Sequence, residues 1–460
     1  MVLDFGGFES GFADFETELE DFEVKKVRKF DRTWKVGEGG SVCAQPVIDN
    51  DRIHIAAMDK YVYSVDCGSG KEIWRFRTGG LILDSTPIIY GNNLYVGSHD
   101  GYFYAIYKNT GKLSWRFKTG GEINLKAFAF EGVIYFGSRD GFVYAVNSET
   151  GKELWRFKTG DEVISSPSVK DGKLFVGSYD NNLYCLDVKT GEEIWRFKTG
   201  GEIINSAPFT FYKNMTYVSS FDNNLYAVDV SSGKEIWRFR TGKYGNATCP
   251  AVHEGVLYYG ARDGIFYAIE AETGKEVWRF KTQGEGVIDK LPLIHNSRVY
   301  FGSEDGNLYV LDIKTGKELW RFKTGGLVAT SAVLWKDYVF FGSWDCHVYK
   351  VNINTYEEIW RFSTSSSTQA YLPPAYEVFR VEIKKETHVD DAISEDRYKS
   401  KKKQESVSLS DYQLTSEYSS TSEYKQKSDY DVDLIMFETV LDFCDISEAF
   451  IRIRTHNIRR

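Results

Sequence analysis

The chain has 460 residues, with 66 acidic against 57 basic side chains and a formal net charge of -9, which disfavours non-specific binding to nucleic acid or an acidic membrane surface. Its 31 Phe, 30 Tyr and 11 Trp stand against 4 Met and 8 Pro, a composition of stiff, strand-favouring rings rather than flexible helix fillers. No run approaches the roughly 20 consecutive apolar residues of a membrane-spanning helix. The six cysteines are widely separated and include no CxxC pair, so they read as reduced thiols of an intracellular protein.

Residues 1–28 form an acidic, phenylalanine-rich extension. Its first 24 positions hold eight acids, five phenylalanines and no Lys or Arg. No basic stretch leads into an apolar core, so no secretory signal is expected. A repeat then begins. Trp34, Trp74, Trp115, Trp155, Trp195, Trp237, Trp278, Trp320 and Trp360 are spaced by 40, 41, 40, 40, 42, 41, 42 and 40 residues, so nine copies of a phrase such as GKELWRFKTG bracket eight units. Three further segments recur in each unit. They are exemplified by SSPSV (165–169), KLFVGS (173–178) and NLYCLDV (182–188), with ELWRFKT (153–159) as the fourth type.

In ELWRFKT, Trp155 and Phe157 share one face and Arg156 and Lys158 the other, as in a half-wet strand. The other two longer segments are more continuously apolar, as strands covered on both faces are. Six of the eight prolines fall at the start of the first segment, where no ladder donor is required. Four short strands per roughly 40 residues imply an all-β fold: an eight-bladed β-propeller of four-stranded antiparallel blades over residues 29–364, with flexible N- and C-terminal extensions.

The pattern YAVNSETGKELWRFKTG, preceded by VGSxDG, resembles the tryptophan-docking repeat of the pyrroloquinoline-quinone-type (PQQ-like) propellers. That family includes quinoprotein alcohol dehydrogenases and an outer-membrane assembly lipoprotein of Gram-negative bacteria. The resemblance implies that Trp74, Trp115, Trp155, Trp195, Trp237, Trp278 and Trp320 dock between blades. For Trp155 it implies packing against Ala145 and Gly151. One docking strand is in excess. The Trp34 strand is expected to pair in the last blade, since joining the two ends resists unzipping.

The loop Asp recurs in every unit, from Asp59 and Asp100 to Asp345. Eight equivalent carboxylates are turn-formers rather than a catalytic site. The residue before each varies: Met58, His99, Arg139, Tyr179, Phe221, Arg262, Glu304, Trp344. A fixed scaffold with variable side chains at a loop tip suits recognition, and drift on a solvated rim explains it equally. Asp84, Asn124, Lys126, Asp289 and Lys290 interrupt the small residues that lead into the innermost strands. Charges at a channel mouth suit a small anionic or polar ligand, although a water-filled channel tolerates them without one. Paired cations on the outer strands, such as Arg156 with Lys158, read as edge protection or as a basic belt for an anionic partner.

Beyond the ring, residues 365–384 read as one additional strand, 385–430 as a polar low-complexity linker, and 431–460 as a short amphipathic helix. The quinoprotein relatives carry a signal peptide, an adjacent cysteine pair and Ca²⁺ ligands on long loops, and none is recognisable here. The histidines show no metal-ligand spacing. The sequence therefore points to a non-catalytic cytoplasmic scaffold for protein partners, a monomeric ring without cofactor, metal, nucleic acid or membrane. A small-ligand-binding propeller using the central channel and a divergent quinoprotein oxidoreductase are the alternatives.

Overall fold

The computed structural model describes residues 40–283 and 290–364. The expected extension 1–28, strand 365–384, linker 385–430 and helix 431–460 lie outside the described residues, as do Trp34 and Asp289. Within them, strands β1–β32 fall into eight four-stranded sheets. Blade 1 spans residues 47–77 (β1–β4), blade 2 88–118 (β5–β8), blade 3 128–158 (β9–β12) and blade 4 168–198 (β13–β16). Blade 5 spans 210–240 (β17–β20), blade 6 251–281 (β21–β24), blade 7 293–323 (β25–β28) and blade 8 333–363 (β29–β32). Each blade is a simple antiparallel meander, as in β13-β14-β15-β16.

The burial pattern follows the sequence alternation. Strands Lys173–Gly177 and Asn182–Asp187 are buried along nearly their whole length, whereas Glu193–Lys198 alternates between half-buried and exposed positions. The core lies between blades. Phe175, Leu183 and Cys185 of blade 4 form one cluster with Val218, Tyr226 and Val228 of blade 5, so no blade covers its own faces.

The docking tryptophans supply the inter-blade wedge, with one difference from expectation. Trp155 faces Ala145 across its own sheet, but the glycine it packs against is Gly191 of the following blade. Its Nε1 donates to the Val188 carbonyl at 3.3 Å. Gly191 has φ +74°, and a Cβ there would lie 2.6 Å from the indole. Gly151 instead receives Trp115. The rule repeats: Trp115 donates to Ser148, Trp195 to Val230, Trp237 to Ala271 and Trp278 to Ile313. Trp320 stacks on Tyr356, which replaces the glycine, at 4.7 Å. Trp74 is buried and the other docking rings are half-buried.

Closure also differs. The outer strand of blade 8 is β32 (Glu358–Ser363), and Trp360 on it donates to the Cys67 carbonyl of blade 1 at 3.3 Å. Trp34 is therefore not needed in the last blade, because every blade is one contiguous segment and the seam uses the same docking contact as the other junctions.

The recurrent Asp is a three-way tie. Asp180 accepts from the Asn182 backbone at 3.0 Å, from the Tyr184 hydroxyl at 2.5 Å and from Gly160 N of the preceding blade at 2.7 Å. It fixes its own turn and the strand exit of its neighbour together. Asp180→Asn keeps the size and removes the charge-assisted character of these bonds, and is expected to cost about 1–2 kcal/mol in urea unfolding. An unchanged midpoint would contradict the tie.

Candidate functional site

The segments that cross from one blade's outer strand to the next blade's inner strand converge on the ring axis. Asp84, leading into blade 2, and Lys290, leading into blade 7, meet there. Lys290 Nζ stands 2.6 Å from Asp84 Oδ1 with both side chains largely shielded. Lys126, leading into blade 3, joins the same cavity, whose other walls include Cys43, Gln45 and Ser206. The side chains around it leave room for little more than a water molecule.

Lys126 has no carboxylate or hydrogen-bond partner among the described residues. Burial lowers its pKa from the usual lysine value, since a charged ammonium loses hydration there. Burial likewise pushes the Cys43 thiol well up, with Asp84 adding to the effect. Asn124 does not reach the cavity lining; it is buried, and its side-chain oxygen has no partner among the described residues. The structure thus brings together Asp84, Lys126 and Lys290 of the expected channel set. Cys43 and Gln45 went unnoticed in the sequence because neutral residues give no charge signal.

The variable position before each loop Asp is not a free tip. Arg262 and Trp344 are buried, as is Met58, and His99, Arg139, Tyr179, Phe221 and Glu304 are half-buried. Their backbone amides pair with the crossing segments: His99 N donates to Leu81 O, Arg139 N to Glu122 O, and Tyr179 N to Glu162 O, at 2.9–3.0 Å. Side chains then link blades. Glu122 lies 3.4 Å from His99 Nδ1 and 3.7 Å from Arg139 Nε, and Arg139 reaches Glu162 at 3.6 Å. Burial lowers the His99 pKa, against the pull of Glu122. Arg262 lies over the Phe221 ring at 5.3 Å. Variation here adjusts inter-blade packing on this rim as well as its outward chemistry.

The outer edge is less basic than the sequence suggests. A β-bulge in each outer pair, such as that between Ala145 and Val146, brings the Glu two places before the tryptophan onto the side of the Arg one place after it. Seven pairs result: Arg75–Glu72, Arg156–Glu153, Arg196–Glu193, Arg238–Glu235, Arg279–Glu276, Arg321–Glu318 and Arg361–Glu358. Two exposed lysines bend onto the loop backbone, Lys118 Nζ donating to Asp100 O at 2.6 Å and Lys158 Nζ to Asp140 O at 2.7 Å. The first arginine of the belt is thus neutralised within its own strand in seven blades.

The model of the family described as outer membrane protein assembly factor BamB matches residues 23–137, 139–248 and 222–372. Among solved structures the chain is similar to the computationally designed protein Ika8, with 19% identity and a TM-score of 0.61 over 70% of this chain and 98% of that one. It is similar to BamB from Moraxella catarrhalis, with 15% identity and a TM-score of 0.57 over 67% and 96%. A europium-containing methanol dehydrogenase gives 14%, 0.58, and 68% and 85%. No curated protein sequence matches. At these identities the structural likeness speaks for the fold alone.

Proposed function

Because the chain belongs to the PQQ-like propeller family, that of the outer membrane protein assembly factor BamB, we propose that it acts as a non-catalytic scaffold for protein partners in the cytoplasm. The observation that carries this reading is the filled axis. The channel is occupied by the chain's own Lys290–Asp84 pair, and short turns join strands of nearly constant length in every blade. What such a ring offers is its rims and edges rather than a deep pocket. The described cysteines are buried free thiols, in keeping with a reducing compartment.

Affinity capture with the full chain, followed by titration of the purified partner, is expected to give saturable, stoichiometric binding. Oxidation of an alcohol with dye reduction, after loading with pyrroloquinoline quinone and Ca²⁺, would overturn the non-catalytic reading.

Lys126 favours a second reading. A buried ammonium facing the axis without a carboxylate of its own suits a small anion. A rise in unfolding midpoint with added inorganic phosphate or acetate, lost in Lys126→Met, would support it over the first.

A further inference from the structure

Blades 4 to 6 depart from the repeat along one stretch of rim. The segment that crosses from blade 5 to blade 6 contains Gly242, Lys243, Tyr244 and Gly245, and Tyr244 has φ +81°. Among the described residues no other crossing segment holds a non-glycine residue in the left-handed region, where an aromatic side chain is strained. The turn is nonetheless pinned. Gly245 N donates to Asn223 Oδ1 at 2.8 Å, and the side chains of Asn246 and Thr241 bond each other at 3.0 Å. Gly245 lies so close to Phe221 that a Cβ there would stand 2.7 Å from the ring. Tyr244 itself is 52% exposed, and its hydroxyl has no partner among the described residues. Strain kept by a well-fixed turn to hold an aromatic ring in water marks a contact surface.

The cations around it are free for a structural reason. At the ends of their outer strands, Lys118, Lys158 and Lys323 fold onto the loop carbonyls of Asp100, Asp140 and Asp305. Glycine follows each of those aspartates and leaves the path open: a Cβ on Gly101, Gly141 or Gly306 would stand 2.6, 2.3 or 2.9 Å from the lysine Nζ. Blades 4 and 5 carry Asn181 and Asn223 there, at φ +71° and +69°, and their side chains shut it. Lys198 at the end of β16 (Glu193–Lys198) and Arg240 at the end of β20 (Glu235–Arg240) are exposed, as is Lys243. None of the three has a carboxylate partner among the described residues. Short links tie them to Tyr244. Gly200 N, two residues after Lys198, donates to Asp222 Oδ2, and the next residue, Asn223, holds the Tyr244 turn. The crossing segment after Lys198 also exposes one acid, Glu202.

We propose that this rim binds an acidic, extended segment of a partner protein, with Tyr244 as the anchor and Lys198, Arg240 and Lys243 pairing its carboxylates. The proposal rests on the scaffold reading and gives it a surface. A tyrosine on a pinned turn loses little freedom on contact, and long cations kept off the loop backbone can follow an extended chain.

Fluorescence anisotropy with the full chain and a dye-labelled peptide of Glu-Glu-Leu repeats tests this. The acidic peptide is expected to bind, more weakly as salt rises, and its Lys-Lys-Leu counterpart not to bind. Tyr244→Ala and the triple variant Lys198→Glu, Arg240→Glu, Lys243→Glu should each weaken binding at least tenfold. Lys118→Glu with Lys158→Glu should leave it unchanged. Tyr244→Gly relieves the backbone, so it should raise the urea midpoint while losing binding; a lowered midpoint would make the ring an ordinary part of the fold and overturn the inference. So would undiminished binding by Tyr244→Ala, or no binding of the acidic peptide to the unaltered chain. Binding that appears only once residues 1–24 are removed would assign the surface to the chain's own acidic arm, and self-association abolished by the triple variant would assign it to a second copy; either overturns it. A partner captured by the full chain but indifferent to Tyr244→Ala would sink this inference and leave the scaffold reading standing, whereas failure to capture any partner would sink that reading.

Discussion

Replacing His54 with tyrosine is expected to raise stability at neutral pH and to remove a loss of about 3 kcal/mol that the unaltered protein suffers between pH 6.5 and 4. The reason lies in how blades are joined. At seven of the eight junctions, all but that of Trp320, a carbonyl at the start of the next blade's turn takes the docking tryptophan, and at seven, all but that of Trp74, a side chain of the earlier blade other than the tryptophan donates to it. Tyr95 donates to Ser148 O at 2.9 Å, Tyr135 to Val188 O at 3.1 Å, Tyr217 to Ala271 O at 2.9 Å and Tyr258 to Ile313 O at 3.3 Å. Where the tyrosine is missing or turned away, a cation reaches in: Lys173 to Val230 O, Arg298 to Ile353 O and Lys350 to Cys67 O.

Between blades 1 and 2 the Lys108 carbonyl takes Trp74 Nε1 at 3.1 Å, and the residue in the tyrosine position is His54. It is fully buried, with neither ring nitrogen partnered among the described residues. Burial lowers its pKa to about 4. Asp49 favours the charged form, and Arg52 and Lys108 oppose it. A histidine whose pKa is depressed on folding binds its proton more readily when unfolded. Its contribution is constant above the ordinary value of about 6.5, is lost as pH falls from there, and levels off below 4.

That displacement corresponds to about 3 kcal/mol. Tyrosine at position 54 carries no such proton and offers a hydroxyl to the Lys108 carbonyl, worth about 1 kcal/mol. Urea unfolding at pH 7 and pH 4.5 decides the matter through the difference between the two proteins, since the remaining carboxylates titrate alike in both. A difference that does not widen on acidification would refute the assignment.

The second large effect is expected at the seam between blades 8 and 1. Seven blades place a small residue or valine opposite the docking tryptophan, such as Ala145 opposite Trp155; blade 8 places Lys350 opposite Trp360. Lys350 is 3% exposed. Its Nζ donates to Cys67 O at 2.8 Å and lies 4.1 Å from the Tyr338 ring and 5.1 Å from that of Trp335. Its strand neighbour is Phe340, which lacks the hydroxyl a tyrosine would bring to that carbonyl. Lysine and phenylalanine here do jointly what alanine and tyrosine do elsewhere.

Lys350→Ala removes a buried donor and leaves a cavity among rings, at an expected cost of about 2–3 kcal/mol. Phe340→Tyr in that background restores the usual pair and should recover most of the loss, a coupling measurable as a double-mutant cycle. Additive effects of the two substitutions would show that the pair does not act as a unit.

The architecture was legible because repetition carries it. The tryptophan period set the blade count, and the alternation in ELWRFKT set which face is wet. What eluded the sequence depends on neighbours that numbering separates. Gly151 stands four residues before Trp155 and is the natural partner on paper, yet a strand pointing outward can reach only the turn of the next blade, where Gly191 lies. The pairing of Glu153 with Arg156 was equally hidden, because positions three apart lie on opposite faces of a regular strand and meet only through the bulge. At the axis, the charges of Asp84, Lys126 and Lys290 stood out against small neighbours. Their convergence on one cavity followed from ring closure, whereas Asn124, equally polar, stays behind the lining.

The docking of each tryptophan on the following blade gives the ring a direction, and with it an order in time. Trp195 reaches its carbonyl across 35 residues of chain, Trp360 across 293. Because the entropy of loop closure grows with the logarithm of length, the last contact is dearer by about 2 kcal/mol than the others. A chain emerging from its N-terminus therefore completes each wall only when the next one arrives, always trailing one unclaimed indole at its growing end. The turn around Gly70, made first, waits the longest for its ring. Until it is filled the array is an open arc, and closure at Cys67 is the step that turns a series of neighbours into a single cooperative body.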